Sequence, residues 1–88
     1  MFKIEDEIHA ELQEGDFASF DKALEELKRR AIIPWDEKPN RCPCKSWKTC
    51  ERKYQIIEYD SATIPWREIQ RKDVLSISGK GTEWKNYR

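Results

Sequence analysis

Polar and apolar residues alternate along the first dozen positions. Phe2, Ile4, Ile8, Ala10 and Leu12 occupy even positions, and Lys3, Glu5, Glu7, His9 and Glu11 occupy odd ones. A period of two gives one apolar and one wet face, so the pattern predicts a half-buried strand with His9 on the wet side. Asp6 is the one exception, a carboxylate on the apolar side. The rival is a helix, because Ile4, Ile8 and Leu12 are also spaced by four.

Glu14-Gly15-Asp16 interrupts this element, and the period then changes. Phe20, Ala23, Leu24, Leu27 and Ala31 form a single stripe at helical spacing. Ser19 before it is a good N-cap, since its side-chain oxygen can accept a free backbone N–H of the first turn. Acids lie early (Asp21, Glu25, Glu26) and bases late (Lys28, Arg29, Arg30), which suits the helix dipole. Glu25–Arg29 and Glu26–Arg30 are the expected i,i+4 pairs. A helix over 19–31 is the firmest expectation from the sequence.

Prolines 34, 39 and 43 then impose an irregular loop. Lys53 to Tyr59 is rich in aromatic and β-branched residues and predicts a strand, with residues 46–50 as a short hairpin partner. Asp73 to Ser78 predicts another, turned by Gly79-Lys80-Gly81 into a short return over 82–84. Ile33-Pro34-Trp35 recurs as Ile64-Pro65-Trp66, and each proline suits the start of a single helical turn. The expected architecture is therefore one α+β domain over residues 1–88. It has about four strands in β-α-β-β-β order, in an antiparallel or mixed sheet with the helix on one face.

Charge changes this picture in one respect. Residues 1–27 hold nine acids against Lys3 and Lys22, whereas the rest of the chain holds eight acids against fifteen bases. Either the two blocks complement each other within the fold, or they form opposite faces, one of which meets a partner. The N-terminus has acids where a signal peptide needs an apolar run, and no apolar stretch approaches the length of a membrane span. A cytoplasmic protein without membrane contact is expected.

Candidate chemistry centres on residues 38–53. Cys42, Cys44 and Cys50, together with His9, are numerically a Cys3His zinc set. Their spacing is not that of paired zinc-finger cysteines, so small thiols packed near Trp47 are the simpler expectation. The odd count argues against a disulfide. Cys50 has Lys48, Arg52 and Lys53 as neighbours, which favours a thiolate nucleophile, and His9 is the only histidine available as its base. Six bases and one acid in this stretch, with Trp35 and Trp47 nearby, also fit a surface for nucleic acid. The candidate binding residues are Trp35, Arg41, Lys45, Trp47, Lys48 and Arg52. Ser78-Gly79-Lys80-Gly81-Thr82 resembles the end of a phosphate loop, but Val74 stands where its first glycine belongs. The functional expectation is a non-catalytic protein-interaction module of immunity or adaptor type. The alternative is a zinc- or nucleic-acid-binding domain using the loop.

Overall fold

The structure is a computed structural model describing residues 1–87. Its elements are β1 (Phe2–Asp6), β2 (Glu11–Leu12), α1 (Phe20–Ala31), β3 (Glu51–Asp60), β4 (Arg67–Ser78) and β5 (Gly81–Trp84). They form one antiparallel sheet of five strands in the order β2-β1-β3-β4-β5, with α1 across one face. The α+β class and the single helix match expectation. The strand count and the order do not, because the first strand divides.

The division is a side-chain effect. The Asp6 carboxylate accepts the Ile8 backbone N–H at 3.1 Å, closing a turn within which Ala10 adopts a left-handed φ of 49°. The chain therefore folds back after Asp6, and Glu11–Leu12 pair with Asp6–Glu5. The predicted hairpin partner at 46–50 is also absent. Those residues form a turn in which the Thr49 N–H and hydroxyl both donate to the Ser46 carbonyl. Pro34 opens a turn and Pro65 ends one just before β4, without a helix in either copy, and the bonds preceding Pro39 and Pro65 are cis.

The helix forms as its sequence dictates. Ser19 Oγ accepts the Lys22 N–H at 3.1 Å, and Ala23, Leu24 and Leu27 are buried against the sheet. Glu26 pairs with both Arg30 and Arg29, so Arg29 takes the i,i+3 partner instead of Glu25. On the sheet, Ile4, Tyr54, Ile56, Val74, Leu75 and Ile77 complete the core. The reverse face is a polar carpet in which Arg71 reaches Glu5 and Gln55, and Lys53 reaches Glu7 and Asp73.

Asn40 ties the loop to this core. Its amide donates to the carbonyls of Arg30 in the last helical turn and Ile33 just beyond it, and its oxygen accepts the buried Tyr54 hydroxyl. Substitution by alanine leaves the Tyr54 hydroxyl and the Ile33 carbonyl without this partner, while the Arg30 carbonyl keeps the Ile33 N–H; a polar group left unpaired and buried costs about 1–3 kcal/mol. Asn40→Ala is expected to lower the melting temperature by roughly 10–15 °C in a domain this size. Thermal denaturation followed by circular dichroism checks this, and an unchanged midpoint would show that the loop carries no such tie.

Candidate metal centre

Asp6 is the organising residue. It is fully buried, and a buried carboxylate must be matched by donors. Oδ1 accepts the backbone N–H groups of Ile8 and Lys53; Oδ2 accepts Arg52 Nη1 at 2.9 Å and His9 Nδ1 at 2.5 Å. The hairpin turn created by Asp6 is what swings His9 inward. Its side chain is only 11% exposed, so the expected solvated histidine on a strand face is replaced by a partly buried one.

Arg52 is the second organiser. It was a candidate surface residue, but it is buried, and its donors are all engaged inside the fold. Nη1 reaches Asp6 and Glu11, while Nε and Nη2 reach the carbonyls of Asn40, Pro39 and Arg41. One guanidinium thus joins the first hairpin to the backbone immediately before Cys42. Only arginine has enough donors in a planar fork to do this.

These two residues bring the thiols to the histidine. With Nδ1 donating to Asp6, Nε2 presents its lone pair, and Cys50 Sγ stands 3.2 Å from it. The donor atoms of His9, Cys44 and Cys50 all lie within 4.8 Å of one another. Ligands of a tetrahedral zinc, at about 2.0–2.3 Å from the ion, stand about 3.3–3.8 Å apart, inside that limit. Cys42 is buried on the same loop, near enough to Cys50 for the two thiols to influence each other's ionisation. Three members of the Cys3His set thus converge, His9 from the β1–β2 turn and Cys44 and Cys50 from the loop.

The protonation equilibria reflect this crowding. Burial works against the His9 imidazolium, but the hydrogen bonds to Asp6 and Cys44 outweigh it and raise the pKa above 6.5. Hydrogen bonds from Ser46 and His9 lower Cys44 to about 7, giving it substantial thiolate character at neutral pH. Burial, reinforced by Cys50, pushes Cys42 up to about 12. A cation would reverse that last effect, since metal coordination deprotonates thiols outright.

The other candidate residues divide. Trp35 and Trp47 lie together, with ring centroids 5.8 Å apart, and Arg41 and Lys48 sit over the Trp47 ring at 5.5 and 5.7 Å. Lys45 is exposed on the same loop. Asp6 and Glu11 were missed as site residues. The available signal was Asp6 itself, a carboxylate on the apolar side of an alternating segment.

The acidic block is largely consumed internally. Glu5 pairs with Arg71, Asp6 and Glu11 with Arg52, Glu7 with Lys53, and Asp16 with Lys3. The two blocks therefore largely complement each other within the fold. Among the described residues no helix is long and apolar enough to cross a membrane. No protein family, curated protein or solved structure matches the chain, so the centre is read from its own atoms.

Proposed function

We propose that the protein is a small non-catalytic zinc-binding module. In this reading His9, Cys44 and Cys50 hold the ion and Cys42 is the fourth donor. The observation that carries the reading is the convergence of His9, Cys44 and Cys50 within 4.8 Å, with His9 oriented by a buried carboxylate. A carboxylate on the far nitrogen of a metal-bound histidine fixes its tautomer and orientation, and is the usual outer support of such sites. The metal would cross-link the β1–β2 turn to the loop, giving rigidity to a chain whose hydrophobic core is small.

Elemental analysis of protein purified without chelator should find one zinc per chain. Cobalt(II) substitution should give the visible absorption of a tetrahedral thiolate site, and His9→Ala or Cys44→Ser should abolish both signals. Sub-stoichiometric metal together with three freely titrating thiols would sink the reading.

A second reading has its own geometric support. Asp6, His9 and Cys50 also stand in the order of an orienting carboxylate, a base and a thiol nucleophile. The presence of Cys44 in the same group favours a metal over a catalytic dyad. Alkylation decides between them. A nucleophilic Cys50 is labelled much faster than free cysteine whether or not a chelator is present, whereas a ligand is labelled only after chelation.

A further inference from the structure

We infer that the face formed by the Cys/Trp loop and the β4–β5 turn binds single-stranded nucleic acid. A groove of about 830 Å³ runs between these two segments, with Trp35, Lys48 and Cys50 on one side and Gly79 and Lys80 on the other. The turn approaches closely because residue 79 is glycine. A Cβ there would meet the Trp35 ring at 3.3 Å.

The distribution of uncommitted charge singles out this face. Seven Lys and Arg side chains form no ion pair among the described residues: Lys28, Lys38, Arg41, Lys45, Lys48, Lys72 and Lys80. Five of these belong to the loop or to the facing turn. Residues 38–50 contain no acid at all, and Glu51 is the one carboxylate lining the groove. A fold that neutralises most of its charges internally leaves these cations facing solvent.

Aromatic rings distinguish the kind of polyanion. The paired indoles of Trp35 and Trp47 lie among the cations, and such interleaving follows a phosphate backbone while offering rings on which unpaired bases stack. An acidic peptide would satisfy the lysines but would make no use of the two indole rings. A groove of this volume has the size of a small-molecule cleft and admits single nucleotides, not a duplex. The inference rests on the metal reading only in that the ion would hold the loop in place.

Fluorescence anisotropy with a labelled oligothymidylate of about ten nucleotides tests the inference on full-length protein of measured metal content. Binding should weaken with salt, with a slope of about −3 in log–log form for four phosphate contacts. Tryptophan emission should be quenched over the same titration. Lys48→Glu/Lys80→Glu, at two exposed positions outside the metal ligands, should weaken binding by roughly tenfold or more while metal content is unchanged. Absent or salt-independent binding, unquenched tryptophan, or equal affinity for duplex or polyglutamate would overturn the proposal. Metal content is read separately, so a metal-free protein that still binds the oligonucleotide refutes only the metal reading.

Discussion

Replacing Arg52 by alanine should remove much of the stability of this protein. The guanidinium is 4% exposed and satisfies Asp6, Glu11 and three loop carbonyls at once. Without it the fully buried Asp6 loses its cationic partner. Removing one partner of a buried ion pair costs about 3–5 kcal/mol, because the remaining charge is left uncompensated. The net stability of a domain this size is on the order of 5–13 kcal/mol, so between about a quarter and all of it is at stake. The melting temperature should fall by roughly 20 °C. Lysine at 52 should rescue little, since a single ammonium cannot reach two carboxylates and three carbonyls in a plane. Calorimetry of Arg52→Ala and Arg52→Lys measures this directly. A shift below about 5 °C for the alanine variant would show that the network is ornamental.

Removal of metal is expected to have a comparable effect. Ions that bind only the folded state stabilise it by mass action, about 4 kcal/mol when free metal stands a thousandfold above the dissociation constant. Treatment with a strong chelator should therefore lower the midpoint by roughly 20 °C, reversibly on adding zinc. The contribution of His9 to the pH dependence should change sign between the two forms. In the metal-free protein, His9 has a pKa raised above its unfolded value of about 6.5. Its stabilising contribution is fully present below that value and is lost as pH rises through the folded pKa. In the metal-bound protein, protons compete with the ion for His9 and the thiolates, so stability rises with pH over the same range. Asp6→Asn should weaken metal affinity about 10–100-fold by disturbing the histidine, in addition to the stability lost with the buried Arg52 ion pair. Parallel pH profiles with and without chelator would contradict the assignment.

These expectations differ in how much of their basis is visible in the chain. Leu24 and Leu27 lie on a stripe whose period, cap and charge order all agree, and local interactions suffice to specify the helix they occupy. The strand at 53–59 and the Gly79-Lys80 turn are legible for the same reason. The first strand is not legible as built, because what breaks it is the Asp6 carboxylate capping the Ile8 N–H. Alternation records which face is buried; it is silent about a turn made by one side chain. Residues 46–50 are read as a hairpin strand from the sequence but form a turn, having no strong strand propensity of their own to oppose it.

The sequence by itself determined the α+β class, the helix from its cap to its last turn, and the inventory of three cysteines and one histidine. Only the tertiary structure decided that His9, Cys44 and Cys50 form a cluster. His9 and Cys50 are separated by 41 positions, and their approach depends on two buried charges, Asp6 and Arg52, meeting across 46. Long-range ion pairing in a low-dielectric interior leaves no periodic trace in a chain. Its sole mark here is a carboxylate on the apolar side of a strand. The helix that the sequence specifies most completely holds the sheet, and the hairpin and loop that it specifies least carry the chemistry.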